Sequence, residues 1–280
     1  MRPDDQSVPG LPPECLPAAR DLARAAGRAV MEHLKLPLEE KRKADGSLLT
    51  KADLASNEIL LTGLRAVFPG HGIVSEETGP EGPPDSPFVW FLDPLDGTRA
   101  YARGKPGFCV MLGLVRCGLP VLGVVYDPLS DELYEASKGG GAFYEHGGAR
   151  LPARVSRRSS LEEMPVVTST GFPERYKTLL GSKLRGPWRT PINSVGVKAG
   201  LVARGEADIY VAHQTVHYWD TAGPLAILEE AGGRMTLWTG APVLYGGRAP
   251  YAHSGPVLAT NGFRRDDIVR ALEGLKCALA

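Results

Sequence analysis

The clearest chemical signal in the sequence is an apolar run that ends in two aspartates and a threonine. The run reads Phe88-Val-Trp-Phe-Leu-Asp93-Pro-Leu-Asp96-Gly-Thr98. Asp93 and Asp96 lie three positions apart around a proline, so both carboxylates and the backbone carbonyl of Leu95 can face one point. Hard cations such as Mg²⁺ prefer oxygen ligands of this kind. An ordinary turn is the alternative, because Asp-Pro and Asp-Gly are common turn dipeptides.

The residues after Asp96 add a place for an anion. A helix that begins near Gly97 would present free backbone N–H groups and the positive end of its dipole beside the cation. The segment therefore predicts a phosphate group next to a metal ion.

Three further segments carry acidic residues at the edges of predicted elements. Val74-Ser-Glu76-Glu77 follows a short apolar run, and a solvated loop is its simplest interpretation. Thr50-Lys-Ala-Asp53 is typical of a capping box. Trp219-Asp220-Thr221 opens a predicted helix in which Asp220 could be only the N-cap. Together the four segments supply five or six carboxylates on elements that can hold metal ligands rigidly.

The first half of the chain predicts two helices and then an antiparallel sheet. A helical stripe of apolar residues runs from Leu16 to Leu34. A second stripe predicts a helix that begins near Asp53 and ends at Pro69-Gly70. Its members are Leu54, Leu61, Leu64 and Phe68. Short β-prone runs with tight connections follow, at 88–92, 108–115, 121–126 and 132–136, and tight connections favour antiparallel neighbours.

Beyond Gly147-Gly148 strands and helices alternate, which predicts an α/β lobe. Predicted strands cover 166–170, 208–211, 235–237 and 257–260. Predicted helices begin near Val197, Thr221 and Arg265. We therefore expect a flexible tail over residues 1–14, an α+β lobe with an antiparallel sheet over 15–148, and an α/β lobe over 149–280.

Composition excludes several classes of protein. The 280 residues are 43% hydrophobic and 23% charged, as in a folded globular chain. Thirty-two basic residues balance 32 acidic ones, so no overall charge attracts a nucleic acid polymer or a membrane surface. No apolar run reaches membrane-spanning length, and the proline-rich start does not resemble a secretory signal. Cysteines at 15, 109, 117 and 277 match neither a metal-binding pair nor a disulfide framework, which favours the cytoplasm.

These motifs together resemble the inositol monophosphatase superfamily of magnesium-dependent, lithium-sensitive phosphatases. Asp93-Pro-Leu-Asp-Gly-Thr98 is similar to the family's first signature. The stretch from Trp219 to Gly233 is similar to its second, and the Thr50–Asp53 and Glu76-Glu77 motifs stand upstream in the expected order. The resemblance implies a layered αβαβα sandwich of two lobes with the metal site between them.

The resemblance also implies a role for each site residue. Glu76, Asp93 and the Leu95 carbonyl would bind a first Mg²⁺; Asp93, Asp96 and Asp220 would bind a second; a third would lean on Glu76. Asp53 and Thr98 would orient and deprotonate the attacking water. The phosphate ester would contact Glu76, Leu95, Asp96, Gly97, Thr98, Lys198 and Asp220. The implied partner is a small-molecule phosphate ester, and a homodimer is compatible with the resemblance.

The segment Ser194-Val-Gly196-Val-Lys198 bears on the substrate. It is similar to the pattern of the 3'(2'),5'-bisphosphate nucleotidases, the CysQ-like branch, in which Lys198 would pair with a second phosphate. A solvated helix lysine is the alternative. Seven residues before Asp220, where inositol phosphatases tend to carry a glutamate, the chain has His213. The resemblance thus favours hydrolysis of 3'-phosphoadenosine 5'-phosphate, with inositol 1-phosphate or another sugar phosphate as the alternative.

Two departures from the nucleotidase pattern flank the proposed phosphate site. Arg99-Ala-Tyr101 follows Thr98, and Ala222-Gly223 follows the second signature's Asp-Thr. Two rival functions fit the sequence less well. A haloacid dehalogenase phosphatase requires Asp-x-Asp, whereas two residues separate Asp93 from Asp96. A catalytically silent phosphate- or metal-binding relative is disfavoured because Asp53 and Thr98 are both present.

Overall fold

The computed structural model describes residues 11–43, 46–246 and 249–276. Most of the predicted tail, residues 1–10, and Cys277 lie outside the described residues. The helices are α1 Cys15–His33, α2 Lys51–Val67, α3 Thr98–Tyr101, α4 Glu174–Leu184, α5 Val195–Ala203, α6 Tyr218–Glu230 and α7 Arg265–Lys276.

Fourteen strands are present in the described part of the chain. They are β1 Glu40–Arg42, β2 Leu48–Thr50, β3 Gly72–Ser75, β4 Gly79–Glu81, β5 Phe88–Asp96, β6 Cys109–Arg116, β7 Leu119–Asp127, β8 Glu132–Ser137, β9 Gly141–His146, β10 Ala149–Pro152, β11 Val166–Thr168, β12 Ile209–Val211, β13 Arg234–Leu237 and β14 Val257–Thr260.

Two sheets form the frame of the molecule. The larger has eight strands in the order β10-β9-β8-β7-β6-β5-β3-β4. Its pairs are antiparallel apart from β3 with β5. The smaller has the order β11-β12-β14-β13 and one parallel pair. Because short turns join β6 through β10, each of these strands lies beside its sequence neighbour, as predicted from the short connections.

Three apolar cores join five layers, and one of them lies on both sides of the middle helices. Alternate residues of β5 point to opposite faces of the large sheet, so Trp90 and Leu92 pack under α1 and α2 while Phe91 faces α6. The small sheet divides in the same way, with Tyr210 facing the middle layer and Ile209 facing α4 and α7. The layers are therefore helix, sheet, helix, sheet, helix, and the predicted αβαβα sandwich is confirmed.

The outer helices follow the predicted stripes with one exception. Ala19, Ala23, Ala26 and Val30 are fully buried along α1. In α2, Leu61 and Leu64 are buried, but Leu54 is 49% exposed, so its assignment to the buried stripe was wrong. In the first turn of α2 the buried residues are Ala52 and Asp53, and Leu54, about 100° further around the helix than Asp53, faces away from the core.

Helix α6 packs between the two sheets, and its backbone at Gly223 lies in close contact with the backbone of the large sheet. A Cβ added at Gly223 would lie 2.6 Å from the Leu112 carbonyl oxygen of β6, so this residue faces the sheet rather than the phosphate site. Tyr101, the other departure, is also buried and packs edge-on against Phe108. The large sheet continues through β10, which lies beyond the boundary predicted at 148.

Among the described residues, no helix combines the length and the apolar character needed to cross a membrane. Cys15 and Cys109 are buried free thiols, and Cys117 is an exposed one.

Candidate active site

Strand β5 delivers the first two aspartates through an irregularity in its pairing. Asp93 lies opposite Met111 and Asp96 opposite Cys109, with a shift in register between them. The Leu95 N–H donates to Asp93 Oδ1 at 3.0 Å, which closes a tight turn. Both carboxylates consequently leave the strand at the same end of the sheet, as the Asp-Pro-Leu-Asp spacing predicts.

Helix α6 supplies the third aspartate. The N-cap of this helix is His217, and Asp220 occupies the third helical position, where its Oδ2 accepts the His217 N–H at 2.6 Å. Asp220 is therefore not the N-cap. One oxygen from each of Asp93, Asp96 and Asp220 lies within 4.8 Å of the others. The structure thus brings together three predicted ligands from two layers of the fold.

Burial and mutual repulsion disfavour negative charge in this cluster. Desolvation, followed by the charges of Glu76, Asp96 and Asp220, raises the pKa of Asp93 well above its usual range. Desolvation and Asp96 do the same for the pKa of Asp220. A bound cation would remove this cost, because it favours the ionised form of each carboxyl.

Asp53 and Thr98 form a second polar pair beside the cluster. Thr50 caps α2, and Asp53 Oδ2 accepts both the Thr50 N–H at 2.7 Å and the Thr50 hydroxyl at 2.6 Å. The other oxygen, Oδ1, lies 3.4 Å from Thr98 Oγ1. Burial raises the pKa of Asp53 to about 6. The capping interpretation of Thr50–Asp53 is correct, and it leaves one carboxylate oxygen directed at Thr98.

The acidic pair Glu76 and Glu77 forms ion pairs with Lys43, a residue that belongs to none of the predicted site motifs. Lys43 Nζ lies 2.7 Å from Glu76 Oε1 and 2.8 Å from Glu77 Oε1. Burial raises the pKa of Glu77 to about 7. Glu76 lies close enough to influence Asp53 and Asp93 electrostatically. A solvated loop is therefore the wrong interpretation. The sequence signal that could have indicated Lys43 is the basic turn that contains it, which lies between the short strands β1 and β2.

Leu95 and Gly97 shape the turn itself. The Leu95 carbonyl accepts the Thr98 hydroxyl at 3.0 Å, while the leucine side chain is buried in the core. Gly97 has a φ of +89°, and an added Cβ would lie 2.4 Å from the Gly107 carbonyl oxygen. The helix expected after Gly97 is only four residues long.

Lys198 does not occupy either position that the sequence suggested. Its side chain is fully buried, so the solvated-lysine interpretation is wrong. Its Nζ donates to the carbonyls of Ile192 and Asn193, each at 2.9 Å, and to Ser169 Oγ at 3.2 Å. Three donors with three protein acceptors leave none for a phosphate. The structure therefore argues against direct contact between Lys198 and a substrate.

His213 lies near this lysine. It packs edge-on against Phe172, and burial together with the charge of Lys198 lowers its pKa. Within the described residues its Nδ1 is buried and has no hydrogen-bond partner. A neutral imidazole with a free nitrogen can serve as a donor or an acceptor to a ligand.

Described residues of the segment from Tyr245 to Ser254, to which the sequence assigns no role, pack against α6. Tyr245 donates to Thr221 Oγ1 at 3.0 Å, and His253 Nε2 lies 2.7 Å from the same hydroxyl. Tyr218 packs against both rings. The described part of this loop therefore supports the first turn of the helix that carries Asp220.

The donor set suits a hard divalent cation. Oxygens of the buried Asp93 and Asp96 and of the partly buried Asp220 converge, with a fourth carboxylate, Glu76, and the Leu95 carbonyl nearby. Oxygen-only ligands are those preferred by Mg²⁺ and Ca²⁺, whereas zinc sites favour nitrogen and sulfur.

A layered αβαβα sandwich with an aspartate cluster beside its middle helices defines the class of this protein. Among known families, the model of the inositol monophosphatase family matches residues 12–273. The chain belongs to that family and is a phosphatase.

Relatives that are named for different activities have similar sequence identities to this chain. The 3'(2'),5'-bisphosphate nucleotidase CysQ of Escherichia coli K12 is 32% identical over 84% of this chain and 95% of its own length. The inositol-1-monophosphatase of Synechocystis is 33% identical over 84% of this chain and 79% of its own. The structure of an inositol monophosphatase from Anabaena superposes with a TM-score of 0.76 at 32% identity, covering 93% of this chain and 96% of that one.

Proposed function

We propose that this protein is a magnesium-dependent, lithium-sensitive phosphomonoesterase that acts on a small-molecule phosphate ester. The observation that carries this proposal is the convergence of Asp93, Asp96 and Asp220 within 4.8 Å, with the Asp53–Thr98 pair beside them. A buried cluster of this charge is costly without a cation and matches the needs of phosphoryl transfer with one.

The ligands of the ions follow from the cluster. Glu76, Asp93 and the Leu95 carbonyl would hold one Mg²⁺, and Asp93, Asp96 and Asp220 a second, with two to three ions in all. When bound, the ions would acidify a water molecule and neutralise charge on the phosphoryl group. Glu76 Oε1 is paired with Lys43 Nζ at 2.7 Å, so Glu76 Oε2 would be the ligand oxygen while that ion pair holds.

Asp53 and Thr98 would move the proton. Asp53 Oδ2 is held by two hydrogen bonds from Thr50, so Oδ1 is the oxygen free to accept the Thr98 proton. The Thr98 hydroxyl can then accept a proton from the attacking water. In the present arrangement this hydroxyl lies closer to the Leu95 carbonyl, at 3.0 Å, than to Asp53, at 3.4 Å. A rotation about the Thr98 side chain would therefore begin the transfer.

For the substrate we propose a 3'(2'),5'-bisphosphate nucleotide such as 3'-phosphoadenosine 5'-phosphate, which would yield AMP and phosphate. Two observations support this substrate. The match to the CysQ relative covers 95% of that relative's length, and His213 stands where inositol phosphatases tend to carry a glutamate. Lys198 adds no direct support, because its ammonium group is already satisfied. Inositol 1-phosphate is the second candidate, favoured by the inositol-1-monophosphatase relative at 33% identity.

A phosphate-release assay tests both levels of this proposal. The panel contains 3'-phosphoadenosine 5'-phosphate, inositol 1-phosphate and fructose 1,6-bisphosphate, each with Mg²⁺, with excess chelator, and with Mg²⁺ plus millimolar Li⁺. We expect release that requires Mg²⁺, falls with Li⁺ and is fastest with the nucleotide. Release unaffected by the chelator would overturn the metal assignment, whereas a preference for inositol 1-phosphate would overturn only the substrate.

A further inference from the structure

One carboxylate oxygen of Asp96 is hydrogen-bonded by residues that have no part in the proposed chemistry. Asp96 Oδ2 accepts the Ser194 hydroxyl at 2.6 Å and the Gly196 N–H at 2.9 Å. Across the described residues no hydrogen bond reaches its other oxygen, Oδ1. One carboxylate oxygen is thus fixed by the protein and the other is left for the cluster.

The Ser194 hydroxyl contacts Asp96 Oδ2 at 2.6 Å and Cys109 Sγ at 3.2 Å, and it donates its proton to the carboxylate. Ser194 is the N-cap of α5, and its Oγ accepts the Val197 N–H at 3.0 Å. Its own N–H donates to the Gly107 carbonyl at 3.1 Å, which ties it to the segment before β6. The residue is fully buried, so no water competes for the hydroxyl. With the cap bond occupying one lone pair, the carboxylate is the strongest acceptor within reach.

Gly196 reaches Asp96 through close packing. A Cβ at this position would lie 2.6 Å from Met111 Sδ and 2.7 Å from Cys109 Sγ. Any larger residue would push the start of α5 away from β6, and the N–H that Asp96 accepts would move with it.

Lys198 locks the segment that precedes Ser194. Its Nζ binds the carbonyls of Ile192 and Asn193, the two residues immediately before the serine. A third bond to Ser169 ties the same ammonium group to the end of β11. Charge-assisted hydrogen bonds to two consecutive carbonyl oxygens fix the backbone conformation immediately before Ser194.

We propose that residues 192–198 form a positioning element for Asp96, in which Ser194 and Gly196 hold Oδ2, Lys198 fixes the backbone, and Oδ1 is thereby presented to the metal cluster. This proposal rests on the metal assignment made above. It gives the Ser-Val-Gly-Val-Lys segment a role in metal affinity rather than in substrate choice.

Calorimetric Mg²⁺ titration of the full chain tests the proposal without any turnover. Ser194→Ala and Ser194→Gly both remove the hydroxyl, but glycine is the better N-cap, so the two variants differ in stability. We expect each to bind Mg²⁺ about tenfold or more weakly than the wild type, as is typical when a ligand's hydrogen-bond partner is lost. Thermal unfolding with and without Mg²⁺ gives a second readout, in which the stabilisation by Mg²⁺ shrinks in both variants.

A matched control separates positioning from a general loss of stability. Ser156 Oγ donates to the buried Asp208 at 2.5 Å, a serine–aspartate bond that lies outside the cluster. Ser156→Ala should lower the melting temperature and leave the Mg²⁺ affinity at the wild-type value. Wild-type affinity in both Ser194 variants would overturn the positioning role while leaving the proposed function intact. A wild-type protein that binds no Mg²⁺ would overturn both.

The lysine has its own test, with substrate choice as the readout. In Lys198→Met the KM values for 3'-phosphoadenosine 5'-phosphate and inositol 1-phosphate should change by the same factor, because the lysine acts on Asp96 and not on either ester. A rise in KM confined to the bisphosphate would contradict the assignment and restore Lys198 as a phosphate ligand.

Discussion

Replacing Asp93 with asparagine should abolish activity and at the same time stabilise the metal-free protein. Asp93 is 2% exposed and faces Glu76, Asp96 and Asp220. Asparagine keeps the shape of the side chain and removes its charge. In the absence of metal the substitution relieves repulsion, whereas in its presence it removes a ligand that both proposed ions share.

The size of the stabilisation can be bounded from the geometry. Two unit charges at the 4.8 Å limit of the cluster repel by about 3.5 kcal/mol at an effective dielectric constant of about 20. Protonation sets an upper limit on the total repulsion, because near pH 8 a carboxyl of ordinary pKa can take up a proton at a cost of about 5.6 kcal/mol. We expect a net gain of about 2 to 4 kcal/mol, or a rise of about 4 to 8 °C in melting temperature for a chain of this size.

The assay is thermal unfolding near pH 8 in excess chelator and again with Mg²⁺, together with phosphate release at saturating Mg²⁺. The control is Asp85→Asn, which changes an exposed aspartate and should alter neither quantity. Asp93→Asn should melt higher than the wild type in chelator and gain little from Mg²⁺. A lower melting temperature in chelator would refute the repulsion argument, and near-normal turnover would refute the metal assignment.

Three further predictions concern the proton pair, the supporting loop and the packing of α6. Thr98→Ala should lower kcat by about 100-fold or more, while Thr98→Ser retains most of it; equal rates in both variants would contradict the proton role. Burial lowers the pKa of His253 to about 4 from about 6.5 when unfolded, so its neutral form contributes stability that is present above pH 6.5 and lost as the pH falls toward 4. His253→Asn should therefore reduce the loss of unfolding free energy between pH 7 and pH 5 by about 2 kcal/mol, which makes the drop in melting temperature smaller by about 4 °C, and an unchanged drop would count against it. Gly223→Ala should cost about 1 to 3 kcal/mol in unfolding free energy because its Cβ meets the Leu112 carbonyl at 2.6 Å, whereas Gly255→Ala, with open space around the added Cβ, should cost much less in the same denaturant titration.

Elements with a strong local signal could be predicted from the sequence. The alanine-rich stripe fixes α1, and the capping box at Thr50 marks the first turn of α2. Helix α4 is not among the predicted elements, although Tyr176, Leu180 and Leu184 recur at the four-residue spacing that is typical of a helix. Strand β10 had no such signal, because all four of its residues are exposed and show no alternation.

The same difference between local signals and tertiary contacts applies to the site. Asp93, Asp96 and Asp220 could be predicted because they lie at the end of β5 or in the first turn of α6, within recognisable motifs. Lys198 could not be interpreted correctly, because its partners are backbone carbonyls brought to it by the tertiary fold. Lys43 could not be predicted for the same reason, since it lies between the antiparallel strands β1 and β2 and meets Glu76 only in the tertiary fold.

The central claim is that Asp93, Asp96 and Asp220 form a divalent-cation site. Its most direct test is an anomalous difference map from crystals soaked in Mn²⁺, which can replace Mg²⁺ at oxygen sites and scatters anomalously. We expect a peak within coordination distance of all three carboxylates. A map without a peak among these three residues, from crystals shown to contain active enzyme, would contradict it.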